Sequence, residues 1–187
     1  MPKRKGSKKA GKDLKVILVG DGAVGKTTLI HRFCDETFKK TYLATVGVDI
    51  TTKAVDVGSD TYTFVFWDVS GQEKFKAQRA VFYKGTNGVI MVCDCTSLAT
   101  VETLPNWKSE VERACGILPI VLLVNKVDLE SERKVLSEHI SRVRKALGIP
   151  QEMIFETSAL DGKNVDTAFF RLGETMLSII KSGKASL

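Results

Sequence analysis

Residues 20–27 have the sequence Gly-Asp-Gly-Ala-Val-Gly-Lys-Thr, and this stretch is the strongest indication of the fold and chemistry of the chain. An aliphatic, β-branched run, Leu14–Val19, precedes it, and Lys26–Cys34 carries apolar residues at helical spacing. In this strand–loop–helix context the pattern G-x-x-x-x-G-K-[ST] predicts a loop whose backbone amides ring a phosphate group. Lys26 is expected to reach the β- and γ-phosphates of a nucleotide, and the Thr27 hydroxyl to ligate Mg²⁺. A glycine-rich turn without a ligand is the alternative.

Strand-like and helix-like segments alternate along the rest of the chain, which predicts an α/β fold. Val89–Cys93 and Ile120–Val124 are continuous apolar runs, typical of parallel strands covered on both faces. Asp49–Val57 and Thr61–Trp67 alternate in polarity and predict a hairpin that adds one antiparallel strand. With Leu14–Val19 and Met153–Glu156, the expected sheet has six mostly parallel strands. Helices on both of its faces are predicted at Lys26–Cys34, Val101–Ala114, Ser137–Leu147 and Asn164–Lys181.

A second polar stretch, Asp68-Val-Ser-Gly-Gln-Glu73, follows directly on the strand that ends at Trp67. Ligands of such sheets bind beyond the carboxyl ends of the strands, so this stretch is expected near the phosphate loop. Asp68 is predicted to contact Mg²⁺ through water, Gly71 to bring a backbone amide to a γ-phosphate, and Gln72 to orient an attacking water. Taken alone, Asp-x-x-Gly is also common in turns.

A third stretch, Asn125-Lys-Val-Asp128, again ends a buried strand. A carboxylate at Asp128 can accept hydrogen bonds from the ring N–H and the exocyclic amine of guanine, whereas adenine would present its N1 lone pair. A site built on such pairing can reject the wrong base by about 10⁴-fold, because a desolvated charge is left unpaired. Thr157-Ser-Ala159, after the last predicted strand, is expected to offer backbone amides to the guanine O6. As an isolated tetrapeptide, Asn-Lys-x-Asp is most often a loop.

Charge and composition limit the class of protein. The chain has 187 residues, 43% hydrophobic and 27% charged, which is the balance of one globular domain. It carries 28 basic and 22 acidic residues, and six of the basic ones lie in residues 1–12, so the remainder is neutral. Residues 1–12 are therefore predicted to be a disordered basic tail rather than part of a nucleic-acid site. Apolar runs too short to span a bilayer and four cysteines without framework spacing favour a cytoplasmic location.

The motifs, in this order and at these spacings, resemble those of a small GTPase of the Ras superfamily, over about residues 13–181. Within it the chain is most similar to Rab proteins, as in Thr45–Asp49, Phe64–Asp68, Gly71–Phe75 and Phe82–Gly88, and in the segment Glu156–Asn164. The resemblance implies the P-loop NTPase G domain at residues 13–181, followed by a short C-terminal tail at 182–187. It also implies that Thr45 binds Mg²⁺ and the γ-phosphate, that Phe38 packs against guanine, and that Tyr42 closes over the phosphates.

The complete predicted site has three sets of residues. The catalytic set is Gln72, Lys26 and Gly71, and the Mg²⁺ set is Thr27, Thr45 and, through water, Asp68. The residues predicted to bind the nucleotide are Asp21, Gly22, Ala23, Val24, Gly25, Lys26, Thr27, Thr28, Phe38, Tyr42, Thr45, Gly71, Asn125, Lys126, Asp128, Ser158, Ala159 and Leu160.

Two departures from the Rab pattern change what is expected. Ser70 stands where the family usually has alanine, which places a hydroxyl beside the catalytic water or simply replaces one small residue by another. Rab proteins usually end in a tail with prenylated cysteines, whereas the last cysteine of this sequence is Cys115. Prenylation is therefore not expected, and neither is myristoylation, since residue 2 is proline.

The resulting functional prediction is a GTP/GDP switch of Rab type, in membrane trafficking or related signalling. Hydrolysis is expected to be slow, about 10⁻⁴ to 10⁻³ s⁻¹ as known for a relative, because no arginine is placed to act on the phosphates in cis. Effectors and regulators are expected at Asp35–Val48 and Ser70–Lys84, and the chain is expected to be a monomer. Residues 1–12 are expected to be a solvated tail, and the alternatives are weak attraction to an anionic membrane or binding to an acidic partner, a nucleic acid or a nuclear import receptor. The alternatives are a non-hydrolysing interaction module and a soluble Ran-like transport switch.

Overall fold

A computed structural model of the protein describes residues 13–34, 39–43, 47–57, 60–70 and 76–183, with the backbone alone at 39–43 and 76–78. Its strands are β1 (Asp13–Val19), β2 (Lys39–Leu43), β3 (Val48–Val57), β4 (Asp60–Val69), β5 (Gly88–Asp94), β6 (Ile120–Asn125) and β7 (Ile154–Glu156). Its helices are α1 (Lys26–Cys34), α2 (Lys76–Tyr83), α3 (Ala99–Glu102), α4 (Leu104–Cys115), α5 (Ser137–Leu147) and α6 (Val165–Lys181), with short 3₁₀ turns at Glu130–Glu132 and Gln151–Met153.

The strands form one sheet in the order β2-β3-β4-β1-β5-β6-β7. β1 lies between β4 and β5 and is parallel to both, and β6 and β7 continue the parallel part. β3 runs antiparallel to both of its neighbours, so it is the one antiparallel strand of the described sheet. The predicted α/β fold, with its hairpin and its crossover helices, is confirmed.

The described sheet has seven strands where the sequence pattern gives six. The additional strand, β2, pairs with β3 from Leu43 opposite Val48 to Lys39 opposite Thr52. Its sequence, Lys-Lys-Thr-Tyr-Leu, is short and begins with two lysines, so it has neither an apolar run nor a clear alternation. An edge strand pairs on one side only and tolerates charged residues, which is why sequence pattern did not reveal it.

The predicted helix Val101–Ala114 is divided into α3 and α4 at Thr103. Pro105 lies in the first turn of α4, where its missing N–H does not interrupt the helical hydrogen bonds. The predicted helices at Ser137–Leu147 and Asn164–Lys181 are confirmed as α5 and α6, apart from one residue at the start of α6.

The helices pack in two groups on opposite faces of the sheet, as two consecutive residues of β4 illustrate. Phe66 packs against Phe33 of α1, with ring centres 5.7 Å apart, while Trp67 lies 6.2 Å from Phe82 of α2. Successive side chains of a strand point to opposite faces, so α1 and α2 cover different sides. Phe33 also stacks on Phe169 of α6 at 4.4 Å, which places α6 on the side of α1.

The predicted tail at 1–12 and residues 184–187 of the predicted tail at 182–187 lie outside the described residues, so the bounds of the domain stay a prediction. Among the residues that the structure describes, no helix combines the length and the apolar character that crossing a bilayer requires.

Gly173 of α6 gives a first test of this packing. A Cβ atom at this position would lie 2.6 Å from Cζ of the buried Phe64 ring. Gly173→Val is therefore expected to lower the free energy of unfolding by about 1–3 kcal/mol through overpacking. Chemical denaturation measures the change, and Glu174→Val on the exposed side of the helix is the matched control. Equal stability of the two variants would contradict the close contact of α6 with β4.

Candidate functional site

The described residues of the three polar stretches singled out in the sequence lie at the same edge of the sheet. β1 ends where residues 20–25 begin, and its Leu18 is paired with Asp68 of β4. On the other side of β1, the last residues of β5 and β6, Asp94 and Asn125, are paired with each other. The ends of β1, β4, β5 and β6 therefore lie together at the carboxyl edge, where an α/β sheet binds its ligands.

The loop between β1 and α1 has the backbone that a phosphate loop requires. Gly20 and Gly25 have φ angles of 138° and 101°, in the region that favours glycine. A Cβ atom would also collide with the carbonyl oxygen of Val92 at Gly20 and with the side-chain amide of Asn125 at Gly25. At Gly22, by contrast, a Cβ would meet no atom of the described residues within 4 Å, so they leave the space beside this residue open.

Lys26 is folded back over this loop. Its side chain is buried, with 7% of the residue exposed, and Nζ donates to the carbonyl oxygens of Gly20 and Asp21, each at 2.8 Å. Burial lowers the pKa of Lys26, while the negative charges of Asp68 and Asp21 oppose that shift. A bound phosphate would compete for the same ammonium group with a full negative charge.

Thr27 and Asp68 meet as the Mg²⁺ prediction requires. The Thr27 hydroxyl donates to Oδ2 of Asp68 across the junction of α1 and β4. Burial raises the pKa of Asp68, and the Thr27 hydrogen bond and the charge of Lys26 oppose the rise. A hydroxyl and a carboxylate are the hard oxygen donors that Mg²⁺ prefers, so this pair fits the ion.

Several predicted residues cannot be compared with the structure. The residues Phe38, Thr45, Gly71 and Gln72, and the side chain of Tyr42, lie outside what the structure describes. Their roles in base stacking, Mg²⁺ binding and hydrolysis stay predictions.

Asn125 joins the phosphate loop to the loop after β7. The residue is 1% exposed, and its Nδ2 donates to the carbonyl oxygen of Val24 at 2.9 Å. Its Oδ1 accepts from the Ala159 amide at 3.2 Å and from the Thr157 hydroxyl at 3.3 Å. One buried side chain thus fixes the distance between the predicted phosphate end and the predicted base end of the site, a role that the sequence motif did not reveal.

The three amides predicted to serve the guanine O6 already have partners in the protein. Thr157 N–H donates to Val124, Ser158 N–H donates to Lys163, and Ala159 N–H donates to Asn125. The last two bonds are 3.2 Å long, near the upper limit for an N–H···O bond. To contact a base, the Ala159 N–H must therefore either give up its hydrogen bond to Asn125 Oδ1 or divide itself between the two acceptors.

Lys126 and Asp128 occupy a turn beyond β6. Lys126 has a φ of 67°, and its Nζ lies 2.5 Å from Oδ2 of Asp94. Although burial opposes ionisation of Asp94, its hydrogen bonds with Lys126 and Thr96 lower its pKa overall. Asp128 is exposed at the end of this turn, where its carboxylate is open to a ligand. Asp94 was missed in the sequence, although its place at the end of a buried strand was a usable signal.

Arg32 of α1 is the second residue that sequence reasoning missed. Its Nε donates to the carbonyl oxygen of Ala159 at 3.0 Å, and Nη2 donates to that of Leu160. Nothing in the local pattern of α1 indicates this contact, because the partners are more than 120 residues apart. Of the remaining predicted residues, Ser158 is buried, while Thr28 and Leu160 are exposed.

Comparison with known proteins agrees with this geometry. The sequence model of the Ras family matches residues 15–178. This chain belongs to the Ras family. Rab-13 of Mesocricetus auratus is 40% identical to it over 170 residues, covering 90% of this chain and 81% of that protein. The Ypt/Rab-type GTPase YPT7 of Saccharomyces cerevisiae is 38% identical over 172 residues, or 88% and 81% of the two chains. Rab-4 of Dictyostelium discoideum is 34% identical over 175 residues, or 93% and 84%.

Membership of the Ras family, with Rab relatives, establishes the general activity. The protein is a Rab-like small GTPase that binds GTP and GDP and hydrolyses GTP. The resemblance to Rab proteins noted in the sequence is confirmed. Guanine nucleotides, generally with Mg²⁺, and regulator and effector proteins are the ligands and partners of this family.

Proposed function

We propose that this protein is a slow GTP/GDP switch in membrane trafficking whose nucleotide lies across the carboxyl edge of the sheet, from Lys26 to Asp128. The observation that carries the proposal is the side chain of Asn125, which ties Val24 of the phosphate loop to Ala159 of the loop after β7. A nucleotide, which has charged phosphates at one end and a base at the other, fits a site whose two ends are joined by one side chain.

The phosphate end is formed by consecutive amides of residues 21–28 and by Lys26. When bound, Mg²⁺ would supply charge neutralisation on the phosphates, with Thr27, Thr45 and, through water, Asp68 holding it. Breaking the Thr27–Asp68 hydrogen bond frees the hydroxyl to turn toward a ligand. The Lys26 ammonium exchanges the two loop carbonyls for phosphate oxygens, which stabilises its charged form.

Hydrolysis is assigned to a water oriented by Gln72, with Gly71 donating its amide to the γ-phosphate. The open space at Gly22 admits that water and a residue from a partner protein. Two arginines in the described structure are committed elsewhere: Arg32 to the carbonyls of Ala159 and Leu160, and Arg79 to Glu110. Their engagement supports slow hydrolysis without a partner.

Partner proteins are proposed to bind Asp35–Val48 and Ser70–Lys84, the segments that carry the predicted γ-phosphate ligands Thr45 and Gly71. Trafficking is inferred from relatives that carry Rab names. We assign the protein to the cytoplasm as a monomer, with the six basic residues of positions 1–12 giving weak attraction to anionic membranes.

The proposal is tested by denaturing freshly purified protein and identifying the released nucleotide by ion-exchange chromatography. We expect GDP or GTP at about one per chain, because phosphate and base contacts together give tight binding. In a competition experiment, GTP is expected to displace bound fluorescent GDP, and ATP is expected not to displace it. Chelation of Mg²⁺ by EDTA should speed the release of the fluorescent GDP. A protein that is purified without nucleotide and binds guanine and adenine nucleotides equally would refute the proposal.

A further inference from the structure

Arg32 of α1 holds the loop after β7 by three contacts. Its Nε donates to the carbonyl oxygen of Ala159 at 3.0 Å, and its Nη2 donates to that of Leu160. The stem of the side chain lies against Gly162, where a Cβ atom would come 3.5 Å from Arg32 Cδ. A planar guanidinium presents its donors at fixed angles, so the two carbonyl groups that it binds are fixed relative to each other and to α1.

The loop after β7 is a compact turn that is attached to the rest of the protein on two sides. Within the turn, the Gly162 amide donates to the Ser158 carbonyl oxygen at 2.9 Å. On the side of the sheet, Oδ1 of Asn125 accepts from the Ala159 amide at 3.2 Å. On the side of α1, Arg32 binds the carbonyl oxygen of the same residue. Ala159 is therefore held through both its N–H and its C=O.

The amide of Leu160 is the donor of this loop that remains for a ligand. Among the residues that the structure describes, it has no acceptor in the protein, whereas the amides of Thr157, Ser158 and Ala159 each have one. The peptide between Ala159 and Leu160 is planar and trans, so its N–H points opposite to the carbonyl that Arg32 binds. A cation on that carbonyl also polarises the peptide and strengthens its N–H as a donor. The contact with Arg32 thus sets both the direction and the strength of the Leu160 donor.

The helix that carries Arg32 also carries residues predicted to bind the phosphates. Lys26 begins α1, and Thr28 lies one turn before Arg32 on the same face of the helix. A rise of about 1.5 Å per residue places Arg32 about 9 Å beyond Lys26 along the helix axis. One helix therefore fixes the predicted phosphate end of the site relative to the loop after β7, independently of Asn125.

We propose that Arg32 is a positioning residue for guanine recognition: its guanidinium holds the carbonyls of Ala159 and Leu160 so that the Leu160 amide donates to the O6 atom of the base. The inference rests on the proposed function, because it takes guanine as the base at this end of the site. In this role Arg32 acts through the peptide that the base contacts, and not through a contact of its own with the nucleotide.

Arg32→Ala tests whether this contact helps to retain the nucleotide. The variant loses both charge-assisted hydrogen bonds to the loop, so we expect fluorescent GDP to dissociate from it about tenfold faster than from the unaltered protein. Arg113→Ala is the matched control, because Arg113 is also exposed and donates to a backbone carbonyl, that of Ser109 in its own helix α4, at 3.1 Å. The control should release GDP at the normal rate.

A modified nucleotide separates positioning of the Leu160 amide from a general loss of stability. In 6-thio-GDP a sulfur atom replaces O6 and is a weaker acceptor, while the N1–H and the exocyclic amine predicted to pair with Asp128 remain. We expect the unaltered protein to bind GDP about tenfold more tightly than 6-thio-GDP, and this ratio of Kd values to fall to about threefold or less in Arg32→Ala. A loss of stability alone would weaken the binding of both nucleotides by the same factor and leave the ratio unchanged.

The outcomes distinguish this inference from the proposed function. If the protein prefers GDP to ATP but Arg32→Ala keeps the unaltered release rate or the unaltered ratio for 6-thio-GDP, the inference alone is overturned. If the unaltered protein does not distinguish GDP from ATP, the proposed function fails and the inference fails with it. If Arg32→Ala does not fold, Arg32→Gln replaces it, since this variant removes the charge and the paired donors but keeps a polar side chain. An unaltered ratio for 6-thio-GDP in Arg32→Gln would then overturn the inference.

Discussion

Asp128→Asn is expected to lose the preference for GTP over ATP, which the carboxylate is predicted to hold at about 10⁴-fold. Asp128 is exposed at the end of the turn after β6, where its two oxygens are available to the N1–H and the amine of guanine. An asparagine would present an amide N–H₂ to the guanine amine, leaving two donors face to face. Competition against fluorescent GDP measures the loss for GTP and ATP in parallel.

The same variant should gain a ligand as well as lose one. Xanthine carries a carbonyl in place of the exocyclic amine, so it accepts from the asparagine N–H₂ while its N1–H donates to the asparagine oxygen. We therefore expect xanthosine triphosphate to bind Asp128→Asn more tightly than GTP does. Asp166→Asn, an exposed carboxylate on α6, is the control and should keep the preference for GTP. Retention of that preference in Asp128→Asn would show that another group reads the base.

Asn125→Ala is expected to release GDP about 10²-fold faster than the unaltered protein. The side chain is buried and makes three hydrogen bonds, to Val24, Thr157 and Ala159. Its removal leaves buried polar groups unpaired at a cost of about 3 kcal/mol, which equals about 10²-fold in an equilibrium or rate constant. Because those groups belong to the two ends of the nucleotide site, their loss of hydrogen bonds should weaken nucleotide binding as well as lower the stability of the fold.

Asn87→Ala is the matched control for this prediction. Asn87 precedes β5 at the opposite edge of the sheet, and its Oδ1 accepts from the Lys15 amide at 2.8 Å. We expect this variant to lose stability in chemical denaturation but to release fluorescent GDP at the normal rate. Equal GDP release from Asn125→Ala and the unaltered protein, with both folded, would refute the bridging role of Asn125.

The elements that sequence pattern predicted correctly are those with a strong local signal. β5 and β6 are continuous apolar runs, and both are wholly buried in the sheet. β2 escaped prediction because an edge strand needs no apolar run, and the division of α3 from α4 escaped it because helical spacing continues across Thr103. Boundaries of this kind depend on neighbours in space rather than on the segment itself.

By itself, the sequence determined the phosphate loop and the polar strand ends, since each is made of consecutive residues whose backbone and side chains act together. Only the tertiary structure decided how these parts are joined: Asn125 to Val24, Arg32 to Ala159, and Asp21 through Trp107 to Arg79. The Asp21–Trp107 and Asn125–Val24 pairs are 86 and 101 residues apart in the chain. Such contacts follow from which strands and helices become neighbours, and no local periodicity carries that information.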